Sequence, residues 1–336
     1  KAFTGAQIHD GHALHTDHTL LLSKTHGCRI VPGHELPQEC EVVTLQGGVI
    51  TPGFVDLQVN GGGGVLFNDD PTVATLRVIA SAHEGLGTAA LLPTLITDTP
   101  AKTRAAIDAV ADAIAEGVRG IVGLHLEGPH LSLTRKGAHD GTLIRPMADD
   151  DLALLIAAAE RLPNLMVTIA PESVTLDQMR RLAEAGVILS LGHSDADRAT
   201  CHAAFDAGVR CVTHLFNAMS QLGSREPGLV GATLEREDVY AGLIADAVHV
   251  HPASMVIALA AKPRSDRVFL VTDAMAPAGS AIDRFVLSGC EVFRKDGRLT
   301  LSDGTLAGAD LDMATALAVM TGQVGDPVEK ALARAT

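Results

Sequence analysis

The sequence predicts an α/β protein: a (β/α)8, TIM-like barrel that carries a small β-sandwich domain. Three observations predict it. From residue 49 onward, eight short apolar runs alternate with Ala-rich stretches of helical length. That is the pattern of a parallel sheet covered on both faces. The span from 49 to 336 suits a barrel of the usual roughly 250 residues with insertions. Finally, the polar residues that interrupt the apolar runs collect at their C-terminal ends, where this architecture carries its chemistry.

Residues 1–48 hold brief apolar runs, TLLL and EVVTL, broken by HDGH, KTHG and VPGHELP. This turn-rich texture is expected to form part of the small β domain, with the barrel occupying 49–336. The first barrel run, VITPGFVDLQV, places Asp56, Gln58 and Asn60 at alternate positions, hence on one face of a strand. TAALLPTL, GIVGLHLEG, LMVTIAPE, GVILSLGHS, CVTHLFNA, YAGLIAD and VFLVTDA follow as strands two to eight. Their ends supply Thr94, Glu127, Glu172, His193, His214 with Asn217, Asp246 with His249, and Asp273. Ser194 and Asp195 are expected to start the helix after strand five.

The helical stretches expected between the runs include PTVATLRVIASAHEGLG, TPAKTRAAIDAVADAIAEG, DDDLALLIAAAERLP, TLDQMRRLAEAG and DADRATCHAAFDAG. Several open on Asp or Thr and close on Gly, as helix caps require. Residues 129–147 form a long loop after the third strand. Residues 284–306 read as a hairpin turning at KDG. The final EKALARAT reads as helix.

The net charge of −14, the absence of Trp, the single Tyr and the lack of a basic run argue against nucleic acid and against an anionic membrane surface. A small anionic substrate needs only a few local Arg and His residues. No apolar run reaches the roughly 18–20 residues of a membrane span. The opening KAFTGAQIHDG lacks a signal-peptide pattern, and an initiator Met is expected before Lys1. Five scattered cysteines without a C-x-x-C are expected to be reduced thiols in the cytoplasm.

Glu127 closes a very apolar strand, where a carboxylate is costly to bury unless paired or metal-bound. Taken alone it could be a salt-bridged surface residue. His193 and His214 close two adjacent strands at matching height, and Glu plus two His is a common zinc set with an open position. His125 shares the strand face of Glu127 and reads as a satisfied core histidine or a support. Asp273 ends an apolar run and reads either as a turn residue or as a general base that serves a water and then the leaving nitrogen. A metal hydrolase would carry His-x-His on the first strand, whereas this chain carries Gln58-x-Asn60. Either no metal is bound or it is held elsewhere.

PGFVDLQVNGGGG, LPTLIT, GLHLEGPH, KGAHDG, GHSDA, THLFNAM, REPGLVGA, IADAVHV, VTDAMAPAG and GTLAG occur in this order between residues 52 and 308. On these strings the chain resembles the amidohydrolase superfamily, and within it the family of N-acetylglucosamine-6-phosphate deacetylases. The resemblance implies hydrolysis of the N-acetyl group of a 6-phosphorylated amino sugar. It implies one divalent metal on Glu127, His193 and His214, with Zn²⁺ favoured over Fe²⁺, Mn²⁺ or Co²⁺. Gln58 and Asn60 match family members that keep a single metal, and would be supporting or substrate-facing groups. Asp273 would be the base. His139, beside Ala138, would polarise the acetyl carbonyl or hold the sugar. Asn217 and Ala218 would bind substrate, Arg225 and His249 would hold the phosphate, and Ala307, Gly308 and Ala309 would close over the ligand. Arg225 would reach a neighbouring active site, which implies a homodimer. Members of the family continue into strands that complete the small β domain, and those strands are absent here. Three alternatives stay open: the galactosamine epimer as substrate, another amidohydrolase, and a catalytically silent phosphosugar-binding protein. A cyclic-amide hydrolase is disfavoured, because LMVTIAPE offers no lysine at the end of strand four.

Overall fold

The computed structural model describes residues 1–36 and 40–336; Pro37, the last residue of the VPGHELP turn, lies outside the described residues. The eight apolar runs form one parallel sheet in sequence order. Its strands are β1 (Phe54–Val59), β2 (Thr88–Ile96), β3 (Leu124–Glu127), β4 (Leu165–Ile169), β5 (Ile188–Leu191), β6 (Cys211–Val212), β7 (Tyr240–Leu243) and β8 (Val268–Leu270). The chain just past β8 turns back onto β1. Asp273 N–H donates to Gln58 O at 3.0 Å and Asn60 N–H donates to Ala274 O at 2.8 Å, so the two edges meet and the ring closes. A closed ring leaves no unpaired strand edge.

The strands read as continuous apolar runs because they are wet on neither face. All five residues of β4 are buried. The helices lie outside: α1 (Val73–Gly85), α2 (Pro100–Ala115), α3 (Asp149–Arg161), α4 (Leu176–Glu184), α5 (Arg198–Asp206), α6 (Gly228–Glu235), α7 (Pro252–Ala261), α8 (Met313–Val319) and α9 (Val328–Ala333). The expected caps are in place. Thr72, Thr99, Thr175 and Asp197 accept backbone N–H bonds at the starts of α1, α2, α4 and α5. Gly87, Gly117, Gly186 and Gly208 follow those four helices at positive φ. Because Asp197 is the cap of α5, Ser194 and Asp195 precede the helix rather than start it. The apolar helix faces meet the outer barrel face in one core that includes Ile79, Ile107, Leu124, Leu189 and Phe205. Cutting one such buried Ile or Leu to Ala costs about 2–5 kcal/mol.

The first residues make two small sheets. One pairs Ala2–Thr4, His18–Ser23, Gly27–Pro32 and Val42–Thr44; the other pairs Gln7–His9, Leu14–His15 and Val49–Ile50. The insertion after β8 is a three-stranded meander, Arg284–Leu287, Cys290–Lys295 and Arg298–Thr300, where a single hairpin was expected. Both of its turns, Ser288-Gly289 and Asp296-Gly297, have positive φ at each residue. Such two-residue turns match the twist of antiparallel strands. The KDG turn was legible, while SG gave a weaker signal.

Candidate active site

The site is built at the C-terminal mouth of the barrel. Glu127 ends β3. His193 and His214 lie just beyond β5 and β6, both at left-handed φ, 49° and 29°. Non-glycine residues are strained there by roughly 1–3 kcal/mol, a cost that gathers at functional sites. The three side chains converge. Glu127 Oε1 lies 3.2 Å from His193 Nε2 and 3.0 Å from His214 Nε2, and the two imidazole nitrogens are 3.2 Å apart. All three residues are buried. Burial raises Glu127, but the facing imidazoles of His193 and His214 outweigh it and hold its carboxyl well below the usual carboxylate range. Burial lowers His214, but the facing Glu127 carboxylate outweighs that and raises it.

A second group shares two of these residues: Glu127, His139 and His193 offer ligand atoms within 4.8 Å of one another. Tautomers separate the two groups. His193 Nδ1 lies 2.8 Å from Arg135 O. A carbonyl only accepts, so Nδ1 carries the hydrogen and Nε2 keeps its lone pair for a cation. His139 Nδ1 meets Thr97 N–H at 3.3 Å and Thr97 Oγ1 at 2.8 Å, and an Nδ1 that accepts from both leaves the hydrogen on Nε2. In that tautomer His139 presents a donor rather than a ligand. Burial pushes its ring down to about 3, which keeps it neutral. A buried carboxylate facing the Nε2 atoms of two imidazoles, at Glu127, His193 and His214, fits a divalent cation such as Zn²⁺.

Asp273 follows β8 at φ 51°. Its Oδ1 accepts from Asn60 Nδ2 at 2.6 Å and from Gln58 Nε2 at 3.1 Å, and Gln58 Nε2 also reaches Glu127 Oε2 at 3.2 Å. One amide NH₂ thus lies between two carboxylates. Asn60 Oδ1 is buried without a partner among the described residues, an acceptor free for a bound molecule. Burial, then the Glu127 charge, push the Asp273 carboxyl up to about 6.

Beneath this layer runs a buried hydroxyl network. His125 Nε2 lies 2.7 Å from Thr168 Oγ1, Thr168 and Ser190 each lie 2.7 Å from Thr213 Oγ1, and Thr94 Oγ1 lies 3.3 Å from His125 Nδ1. His125 is the satisfied interior histidine, and burial holds it down to about 4. Glu172 accepts from Ser194 Oγ and Asp195 N–H and holds the chain beyond His193.

A cavity of about 400 Å³ opens over Glu127, His193, His214 and Asp273. Asn60, Ala138, His139, Asn217, Ala218, His249 and Gly308 line it as well. Gln58 reaches the site from below. Ala307 and Ala309 are buried beside Gly308 rather than lining the cavity, and Ala309 N–H donates to Asp273 O at 3.0 Å. Gly308 has φ 68°, and a Cβ there would meet Met275 Cγ at 2.3 Å. Arg225 is exposed on the loop before α6 and is not part of the lining. The sequence did not single out Arg135, Met275, Leu287 and Thr305, which also line the cavity. Arg135 belongs to the long loop after β3, where RKGAHD already pointed to His139. Leu287 and Thr305 come from the meander and its return.

The amidohydrolase family model matches residues 49–336. An N-acetylgalactosamine-6-phosphate deacetylase of a Shewanella species is 46% identical over 273 residues, 81% of this chain and 68% of the relative. An N-acetylglucosamine-6-phosphate deacetylase of Haemophilus influenzae is 34% identical over 306 residues, 90% of this chain and 79% of the relative. The crystal structure of N-acetylglucosamine-6-phosphate deacetylase from Pasteurella multocida superposes with a TM-score of 0.93 at 34% identity, covering 98% of this chain and 86% of that one. The family match takes in every residue around the cavity, and the chain belongs to the amidohydrolase family of metal-dependent hydrolases.

Proposed function

We propose that the protein hydrolyses the N-acetyl group of N-acetyl-D-glucosamine 6-phosphate, giving D-glucosamine 6-phosphate and acetate in amino sugar catabolism. The observation that carries the reading is that Gln58, at the seam between β1 and β8, joins Asp273 to Glu127 of the buried Glu127–His193–His214 group. The names of the Haemophilus and Pasteurella proteins support the substrate.

Glu127, His193 and His214 would hold one divalent ion, with Zn²⁺ favoured over Fe²⁺, Mn²⁺ or Co²⁺. When bound it would polarise the acetyl carbonyl and make an adjacent water acidic, near pKa 7. The Gln58 amide between Glu127 and Asp273 favours a single ion, because its N–H donors take a place where a second cation would otherwise sit. Asp273 takes the proton from the attacking water and returns it to the amide nitrogen as the C–N bond breaks. A carboxyl pushed up to about 6 suits both roles near neutral pH. His139 donates Nε2–H to the acetyl oxygen as charge builds there. Ala138, Asn217, Ala218 and Gly308 hold the sugar, with Ala307 and Ala309 fixing the turn behind Gly308. His249 and a neighbouring subunit's Arg225 hold the phosphate, which makes the working form a homodimer. Residues 1–48 belong to a small β domain, whose second sheet also takes in Val49–Ile50 from the expected first barrel run. No described helix is long and apolar enough to cross a membrane, and the scattered free cysteines support a cytoplasmic location.

A second reading takes the galactosamine epimer as substrate, and the name of the 46% identical Shewanella relative favours it. One experiment tests both. Acetate release from the two epimeric 6-phosphates is measured on a preparation assayed for metal content. The proposal expects about one metal per chain and a higher kcat/KM for the gluco epimer. A higher value for the galacto epimer moves the assignment to the second reading. Bound metal with no acetate from either removes both.

A further inference from the structure

His249 does not stand alone at the cavity wall. Asp246 Oδ2 lies 2.6 Å from His249 Nδ1, while Asp246 Oδ1 accepts the backbone N–H of Val248 at 2.8 Å and of His249 at 2.7 Å. Ala247 between them is left-handed, at φ 60°. The segment is wound around one carboxylate, and the His249 and Asp246 side chains are only 9% and 5% exposed. A carboxylate only accepts, so Nδ1 of His249 carries the hydrogen and Nε2 is the free edge of the ring. In the neutral ring that edge is a lone pair, which a phosphate oxygen repels. With Nδ1–H directed at Asp246, only the doubly protonated ring offers Nε2–H to an anion.

We propose that Asp246 is a positioning residue for the substrate phosphate: its charge holds His249 as a cationic Nε2–H donor toward the phosphate. The inference deepens the reading of His249 given above and rests on it. Asp246 is needed for its charge as well as for its shape. An asparagine in its place can still accept the two backbone N–H bonds through Oδ1. Turned toward the ring, however, it offers an N–H to Nδ1, which moves the imidazole to its other neutral tautomer.

The test uses the full chain with its metal and three proteins: wild type, Asp246→Asn and His249→Gln. KM and kcat are measured for N-acetylglucosamine 6-phosphate and for N-acetylglucosamine. Asp246→Asn is expected to raise KM for the phosphorylated sugar about tenfold or more, the loss of one charge-assisted hydrogen bond. The kcat should move far less, and the unphosphorylated sugar should show no comparable rise in KM. Inhibition by inorganic phosphate should weaken in parallel. Equal changes for both sugars would show that Asp246 merely holds the loop and would overturn the proposal. If His249→Gln keeps the wild-type preference for the phosphorylated sugar, the phosphate role of His249 itself fails, and the two failures are thereby distinguished. A measurement on the wild type covers poor folding of the variants. The ring nitrogens of His249, followed by NMR as inorganic phosphate is added, should take the imidazolium pattern in the complex. A neutral pattern with phosphate bound would overturn the proposal.

Discussion

Asp273 combines a strained backbone, a raised carboxyl and two amide donors on the same oxygen. Each has a consequence for its replacement. Asp273→Asn preserves volume and leaves Glu127, His193 and His214 untouched, so metal content should stay at the wild-type level. It removes the group that moves the proton, and turnover should fall by about 10²–10⁴-fold. Metal analysis and the initial rate on one sample check both halves, and near wild-type turnover would assign the base elsewhere. Residue types of this kind were legible in the sequence, because a carboxylate or imidazole ending an apolar strand is costly without a partner. The apolar lining was not. Met275 and Leu287 face the cavity, yet their side chains have the same chemistry as residues in the core. Thr305 follows an exposed turn and resembles any loop threonine. Nor could types alone show that one ring nitrogen of His139 meets Thr97 and one of His193 meets Arg135, tertiary facts that decide what each ring presents to the site.

At the scale of elements, the seam between β1 and β8 does the positioning. Asp56 is fully buried on β1. Its Oδ1 accepts Gln58 N–H and Thr272 N–H, each at 3.2 Å, and its Oδ2 accepts the Thr272 hydroxyl at 2.5 Å. The same hydroxyl accepts Ala274 N–H at 3.2 Å. Of the residues on either side of strained Asp273, Thr272 is thus tied to the carboxylate directly and Ala274 through the Thr272 hydroxyl. Asp56→Ala would strand three buried donors, each costing about 1–3 kcal/mol, and should lower the thermal midpoint by several degrees at least. Asp56→Asn keeps an acceptor for the backbone N–H groups and should retain most of the stability while kcat falls more than KM rises. Equal stability of wild type and Asp56→Ala in a melting experiment would refute the clamp. The alternation of Asp56, Gln58 and Asn60 was legible in the strand, but their partner across the seam was not, since Thr272 lies more than two hundred positions away in the chain. Among the helices, α1 to α5 and α9 were anticipated. The pattern did not flag α6, α7 and α8. Seven of the eight residues of α6 are buried, and α7 carries Val256 and Ile257 on its exposed side, so neither shows the two-faced pattern that reads as a surface helix.

For the whole molecule, the net charge of −14 says little about an anionic substrate, because the few cations that matter are placed locally. The eight strands and their order were legible from apolar runs alone, whereas assembly leaves no such periodic trace. Arg225 is exposed, shares its loop with Leu222, itself 56% exposed, and stays out of the cavity lining of its own chain. Both features suit a residue that completes a neighbour's site. Complementation tests this without a structure of the assembly. Arg225→Ala and Asp273→Asn are each expected to be nearly inactive toward the phosphorylated sugar. In a mixed dimer, the Arg225→Ala subunit keeps its own Asp273 and receives Arg225 from its Asp273→Asn partner, so one of the two sites is complete. The other site lacks both residues. Random reassortment of equal amounts makes half the dimers mixed, so about a quarter of wild-type activity should return. If Arg225 instead served its own chain, both sites of every mixed dimer would be defective, and mixing would restore nothing.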